Sequence, residues 1–366
     1  MESLTEDFLS IVLNETPLLD VRAPVEFEKG AFKNAANIPI LEDEERHLVG
    51  IEYKKSGNEA AVRLARELIK EEGKEARTKK WLEWLESHPD AILYCFRGGQ
   101  RSRIAQEWLK EAGYDITRIK GGYKAFRNYL IDESIRISGE MDTLIIGGRT
   151  GSGKTLLLEK VQNAIDLEKL ANHRGSSFGG YAKEQNSQIG FENDLAYELI
   201  QKYHDGLRQI VIEHESKNIG RCYMPPEVYA NLMNGKLILL TAPMERRVEI
   251  THKEYVQNAI EEYTKEYGEE SGVEMWRERT LFRLKKIRKR LGDLRYRTLA
   301  AIFDNALQTY KKSASLEDFK EFIEILLRDY YDPMYDYQIE KTPQEIIFTG
   351  DEAEVLEFLQ EYNKQV

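Results

Sequence analysis

Two short loops in this chain carry residue types suited to gripping anions. The first is Cys95-Phe96-Arg97-Gly98-Gly99-Gln100-Arg101-Ser102. It follows the apolar run Ala91-Ile92-Leu93-Tyr94 and precedes a helical pattern from Arg103 to Ala112. A loop between strand and helix turns backbone N–H groups inward, and the helix N-terminus adds positive potential. Arg97 and Arg101 add full charges. Such surroundings favour the cysteine thiolate, which is the nucleophile. Two glycines and two arginines within six residues set Cys95 apart from a small buried hydrophobe. Cys222, in Gly220-Arg221-Cys222-Tyr223, lacks that cradle and reads as a packing residue.

The second loop, Gly148-Arg149-Thr150-Gly151-Ser152-Gly153-Lys154-Thr155, has P-loop spacing. The flanks agree with that pattern: the apolar strand Thr143-Leu144-Ile145-Ile146 before it, and a helix expected from Thr155 to Ile165 after it. The glycines let the backbone around Thr150 and Ser152 close on phosphate oxygens, Lys154 supplies a point charge, and Thr155 can reach a Mg²⁺ ion. A nucleotide hydrolase also needs a carboxylate, commonly Asp, after an apolar strand. The best match is Ile210-Val211-Ile212-Glu213-His214-Glu215, where Glu stands for Asp and a second carboxylate follows. A charged strand end has the same pattern, so ATP hydrolysis does not follow, and the loop suits another diphosphate equally well.

The elements that must position these loops alternate. Before the first loop come a strand at Leu18–Arg22 and a helix from Ala60 to Glu72, with Val62, Ala65, Leu68 and Ile69 on one face. After it, Gly121-Gly122 turns into a helix from Tyr123 to Ile137. Around the second loop lie core strands at Ile210–Ile212 and Leu237–Leu240, and a long charged helical pattern from about 253 to 310. Strands alternating with helices predict an α/β protein with parallel sheets. At 366 residues the chain exceeds one ordinary core, so two domains are expected, 1–138 and 139–366.

Composition excludes several classes. No apolar run approaches the ~20 residues of a membrane span. The acidic N-terminus (Glu2, Glu6, Asp7) has no signal-peptide pattern, and two cysteines cannot build a disulfide framework, so a reducing cytoplasm is expected. Two cysteines also cannot build a four-thiolate zinc site, and no metal is expected. The net charge of −11 argues against a generic nucleic-acid binder, yet it is unevenly spread. From Arg277 to Arg297 ten Lys/Arg face two acids, whereas from Ser313 onward fourteen acids face four bases. One basic surface on an acidic protein can steer a polyanion to one place.

The first 138 residues resemble a rhodanese domain. Asp20-Val21-Arg22-Ala23-Pro24-Val25-Glu26-Phe27 resembles the family's Asp-x-Arg-x-x-x-Glu-Phe signature, Asn37-Ile38-Pro39 its Asn-Ile-Pro, and Gly121-Gly122-Tyr123-Lys124-Ala125-Phe126 its closing Gly-Gly-x-x-Ala-aromatic. In that family the loop cysteine carries sulfur as a persulfide, and Asp20 and Arg22 would be structural. Simple sulfurtransferases place four residues between Cys and Arg; here five intervene. The longer loop resembles that of the rhodanese-fold cell-cycle phosphatases, so the pocket should accept a phosphate-sized anion. On this domain alone, a phosphatase or sulfurtransferase fused to a nucleotide-binding regulator remains open.

Over its length the chain resembles the bacterial tRNA 2-selenouridine synthase family. The stretches 43–54, 95–102, 166–179, 213–220 and 330–335 carry the likeness. The resemblance implies that geranyl diphosphate alkylates the sulfur of wobble 2-thiouridine, after which selenophosphate replaces the geranylthio group with selenium. Geranyl diphosphate would sit on Gly148, Thr150, Gly151, Ser152, Gly153, Lys154 and Thr155, and selenophosphate in the Cys95–Arg101 loop. Cys95 would take selenium as a perselenide or activate the donor; both stay open. His173, Arg174, Ser176 and Ser177 would line the diphosphate or uridine pocket, with Glu213 and Glu215 in support. Arg277, Arg279, Arg283, Lys285, Lys286, Arg288, Lys289, Arg290, Arg295 and Arg297 would meet tRNA phosphates, while Trp276, Phe282 and Tyr296 would stack on bases. A solvated helix with its aromatics in the core is the alternative. No tightly bound cofactor is implied. The partners implied are 2-thiouridine tRNA and selenophosphate synthetase as donor source.

Overall fold

The computed structural model describes residues 3–362. Two compact units emerge. The first takes Ser187–Gly206 along with the chain up to Ser138; the second takes Gly139–Asn186 and the chain from Leu207 onward.

The first unit is a five-stranded parallel sheet. Its strands are β1 (Leu4–Thr5), β2 (Leu18–Asp20), β3 (Ala35–Asn37), β4 (Ile92–Tyr94) and β5 (Thr117–Ile119), in the order β1-β5-β4-β2-β3. Short apolar strands buried on both faces need helices on both sides. One face packs Leu19, Leu93, Ala105, Leu109, Trp81 and Leu85 together. Trp81 Nε1 donates to Ile38 O at 2.9 Å. The helix expected at 60–72 lies inside the longer stretch Asp43–Glu86, which breaks at Gly57 (φ 84°) and Lys70 (φ 56°). It folds back on itself through Arg77, which is held by Glu45 at 2.7 Å.

The other face carries the helices Gly122–Glu140 and Gln188–His204. The second of these lies, by sequence, among the phosphate-loop elements, yet it belongs to the first unit. Its Asn193 is fully buried, accepting from Arg127 Nη1 at 2.6 Å and donating to Ala31 O at 2.7 Å. Its Tyr197 ring meets Phe126 edge-on at 6.2 Å. The two-domain division at 138/139 therefore misses one helix, because these polar anchors are visible only in three dimensions.

The second unit centres on another parallel sheet. Its strands are β6 (Asp142–Gly147), β7 (Ala164–Ile165), β8 (Gln209–Glu213), β11 (Lys236–Leu240) and β12 (Ile346–Gly350), in the order β12-β11-β6-β8-β7. A small antiparallel pair, β9 (Asn218–Ile219) with β10 (Cys222–Tyr223), stands apart. The helix expected from Thr155 to Ile165 is only Lys154–Leu158. Once Leu157 and Leu158 are buried, the chain turns back to form β7, and Asn163 fixes the turn by donating to Gln209 O and accepting from Val211 N.

The long charged pattern is not one helix. It comprises Met244–His252, a π-helical turn at Lys253–Gln257, Asn258–Tyr267, Glu269–Leu291 and Asp293–Ser313. Gly268 (φ 87°) and Gly292 (φ 90°) make the breaks, a conformation that costs glycine little. These helices enclose their own core, with Trp276, Phe303, Phe319 and Phe322 packed ring against ring. No helix among the described residues is long and apolar enough to cross a membrane.

Candidate active site

Cys95 follows β4 at the carboxyl edge of its sheet, where open parallel sheets place ligands. The side chain is buried, and its thiol donates to Ser102 Oγ at 3.1 Å. Ser102 Oγ donates in turn to Gly99 O at 3.2 Å, so one buried serine holds both thiol and loop. The Gly121-Gly122 turn closes the loop from behind: Tyr123 N donates to Cys95 O at 2.8 Å and Lys124 N to Phe96 O at 3.0 Å. A Cβ on Gly122 would stand 2.3 Å from Cys95 O, which explains why the turn is glycine. Among the described residues, the N–H groups of Phe96 through Ser102 donate to no protein acceptor, so they are free for an anion.

The two loop arginines differ. Arg101 forms a two-point pair with Glu26, at 2.5 and 3.1 Å. Burial opposes charge on Glu26, but the Arg101 guanidinium outweighs it and holds the carboxyl below its ordinary range. Arg101 is thereby a fixed charge beside the thiol. Arg97 is exposed, near the Phe96 ring, which itself stacks on Tyr123 at 6.0 Å. Gln100 Oε1 accepts from Arg103. Asp20 and Arg22 are buried partners, with Tyr94 OH donating to Asp20 at 2.7 Å.

In the second unit the loop 148–155 leaves β6 and enters its short helix with Gly151 and Gly153 at positive φ. Lys154 Nζ donates to Gly148 O at 2.9 Å across the loop. The buried Ser152 Oγ has no protein partner, nor has Thr251 Oγ1, 2.5 Å from where a Gly151 Cβ would stand. Behind the loop sits buried Arg247. Its Nε donates to Thr150 O at 3.0 Å, and its two terminal nitrogens pair with Asp332 at 2.9 and 2.5 Å. Arg149 pairs with Asp336.

Glu213 ends β8 beside Ile146 of β6, one strand over from the loop. Its Oε1 accepts from Glu168 N at 2.7 Å, and its buried Oε2 has no partner. Asp166, Glu168 and Glu215 gather around it. Burial first, then mutual repulsion, pushes Glu168 and Glu213 well above the ordinary carboxylate range. Burial also raises Glu215 and Asp166, although Lys154 opposes the shift at Glu215 and the Lys169 amide opposes it at Asp166. Such a cluster retains protons that isolated carboxylates would release. Lys154, Thr155, Arg174, Ser176, Ser177, Glu213 and Glu215 all line one cavity of about 270 Å³, together with Glu168, His214, Tyr331 and Tyr335.

Residues 141–366 match the tRNA 2-selenouridine synthase AAA domain, and residues 5–129 the rhodanese-like domain. A tRNA 2-selenouridine synthase of Sulfurovum sp. (strain NBC37-1) is 53% identical over 364 residues, covering 99% of this chain and 100% of that protein. The one from Hydrogenovibrio crunogenus is 47% identical, covering 97% of this chain and 98% of its own. The one from Pseudomonas syringae pv. syringae is 42% identical over the whole of both chains. The chain belongs to the tRNA 2-selenouridine synthase family.

In this family member, four sequence assignments shift. His173 does not line the cavity. Its Nδ1 accepts from Gly175 N, its ring packs against Gly220, and burial followed by the charges of Arg283 and Arg174 brings it down to about 4. Trp276 is core, with Nε1 donating to Tyr255 O, so it is not available to stack on a base. Arg279 and Arg283 turn inward: Arg279 donates to Tyr181 O and Ala182 O, Arg283 to Phe178 O and Gly180 O. Long guanidinium side chains satisfy loop carbonyls here, a role the charge pattern cannot reveal.

Lys285, Lys286, Arg288, Lys289, Arg290, Arg295 and Arg297 are exposed. Among the described residues Lys285, Lys286 and Lys289 make no ion pair, whereas Arg288 and Arg297 share Asp293, and Arg277 is held by Glu274 and Asp304. Phe282 is 57% exposed, with Lys286 over its ring at 4.7 Å, and Tyr296 is half-buried under Arg288. Cys222 is buried, its Sγ against Asn186 O. Sequence reasoning missed Glu168, Arg247 and Asp332 as site residues. Glu168 follows a two-residue strand too short to recognise, and the Arg247–Asp332 pair joins positions 85 residues apart.

Proposed function

We propose that this chain converts wobble 2-thiouridine of tRNA to 2-selenouridine in two steps, in the cytoplasm. In the first, the thiouridine sulfur attacks C1 of geranyl diphosphate. The carbon–oxygen bond breaks, diphosphate leaves, and the base gives up its N3 proton. In the second, the selenium of selenophosphate adds at C2 and geranylthiol leaves with a proton; water then cleaves the selenium–phosphorus bond, and phosphate is released. Full-length similarity to curated synthases supports this reading over a phosphatase or sulfurtransferase with a nucleotide-binding regulator.

The observation that carries the first step is the phosphate loop without an ordinary nucleotidase carboxylate. Lys154, the loop amides and the unpartnered Ser152 hydroxyl suit a leaving diphosphate, whose growing charge they would stabilise. Glu213 is tied to Glu168 N, and burial, then the charge of Asp166, pushes its carboxyl well above the ordinary range. A Mg²⁺ ion would enter with the diphosphate, on Thr155.

For the second step, the free amides of the Cys95 loop and the fixed Arg101 suit the tetrahedral selenophosphate, supplied by selenophosphate synthetase. Cys95 activates the bound donor, since selenide-level selenium would need a two-electron oxidant to sit on its sulfur as a perselenide. The exposed lysines of Glu269–Leu291 meet tRNA phosphates. The test is incubation with 2-thiouridine tRNA, geranyl diphosphate and selenophosphate, read by nucleoside mass spectrometry. Geranylated and then selenated uridine is expected; an unchanged nucleoside mass refutes the function. Cys95→Ala should block selenium entry and spare geranylation.

A further inference from the structure

The phosphate cavity has an apolar neighbour. A narrow slot of about 40 Å³ lies against it within the helical part of the second unit. Thr150, Ser176, Tyr255 and Tyr331 line both spaces, so the slot abuts the phosphate loop itself. Beyond that collar the walls are mainly hydrocarbon, chiefly Phe178, Val256, Phe303, Phe322, Ile323 and Leu326, with the hydroxyl-bearing Thr251, Tyr263 and Thr280 among them. Arg283 is the one charged lining residue, and its guanidinium is spent on Phe178 O and Gly180 O.

Close-packed cores leave few gaps larger than a water molecule, and an apolar gap of this kind stays dry. A phosphate grip beside a hydrocarbon slot suits an amphiphile with an anionic head and an unsaturated chain.

We propose that this slot receives the distal isoprene unit of the prenyl diphosphate and thereby sets the chain length the enzyme accepts. The inference rests on the prenyl-transfer reading above and extends it to named residues. At ~10–15 Å³ per water-sized body, the slot holds about three such bodies, room for the branched three-carbon end of the distal unit and for no further unit. The first unit then lies in the larger cavity, between the loop and the collar. Ten carbons fill the two spaces. A third unit exceeds that space and would have to displace slot walls such as Phe303 and Phe322, which pack ring against ring.

The experiment offers dimethylallyl, geranyl and farnesyl diphosphates in competition to 2-thiouridine tRNA and reads the alkylated nucleosides by mass spectrometry. Ile323→Ala deepens the slot and should raise the farnesyl-to-geranyl product ratio ~10-fold. Val256→Phe fills it and should lower the geranyl-to-dimethylallyl ratio by about the same factor. Inhibition by inorganic pyrophosphate should stay as in the unaltered protein, which shows that the phosphate loop is folded. If Val256→Phe loses that inhibition, Ile323→Ala decides. Unchanged ratios in a chain that still geranylates overturn the slot and leave the prenyl-transfer reading intact. Failure of the unaltered chain to alkylate with any of the three overturns both.

Discussion

Asp332→Ala should loosen the phosphate loop from behind. Arg247 is 3% exposed, and its guanidinium is satisfied by Asp332 at 2.9 and 2.5 Å and by Thr150 O at 3.0 Å. Removing the carboxylate leaves a buried cation with one neutral acceptor. Breaking one side of a buried pair costs ~3–5 kcal/mol. The Asp332 side chain is 12% exposed and the exposed Arg149 lies 3.8 Å away, so water reaches the edge of the site and the lower figure, ~3 kcal/mol, applies. That corresponds to roughly 100-fold faster hydrogen exchange at the amides of β6 and β11. Exchange is the appropriate assay because a chain with two units need not unfold in one step.

The double variant Arg247→Met with Asp332→Ala removes the stranded charge and fills its space with hydrocarbon. Most of the missing protection should return. Geranyl diphosphate should still bind weakly, since Thr150 O has no anchor in this variant. A destabilisation below ~1 kcal/mol in the single variant, or a double variant as damaged as the single, would refute the brace.

Three further outcomes are expected. Lys154→Met should slow geranylation by ~10²–10³ in single-turnover assays while tRNA already carrying the geranyl group is still selenated. In the first unit, burial pushes the Asp194 carboxyl up to about 6 from 3.8, with Lys33 opposing and Glu198 adding to the shift. The folded state therefore holds this proton more tightly, so its stabilising contribution is complete below 3.8 and gone above about 6. Asp194→Asn should flatten the stability profile across that window and be the more stable form at pH 8, measured by exchange in Gln188–His204. Paired Lys285→Glu and Lys289→Glu changes should weaken tRNA binding for all sequences and reduce the salt slope by about 1 for each phosphate no longer neutralised, read by filter binding at several salt concentrations.

Local chemistry was legible in the sequence because it depends on neighbours along the chain. The Cys95 loop, the 148–155 loop, their flanking strands and the parallel α/β class all follow from spacing and from apolar runs of strand length. The helix breaks at Gly268 and Gly292 were not legible, because the continuous charge pattern concealed them. Glu26 stands in the Asp20–Phe27 signature, but nothing along the chain says that it grips Arg101, 75 residues away.

What the tertiary structure alone decided is which polar groups lose water together. It turned Arg279 and Arg283 from phosphate ligands into supports of loop carbonyls, and drew Trp276 and His173 into packing. It gathered Asp166, Glu168, Glu213 and Glu215 at one strand edge, where shared burial makes them hold protons. It handed the helix Gln188–His204 to the first unit, and it set a hydrocarbon slot against the phosphate loop. Residue type and spacing specify what a loop can grip. Burial and long-range packing set the charge it carries and what lies next to it, because both depend on water excluded by parts of the chain that the local pattern does not contain.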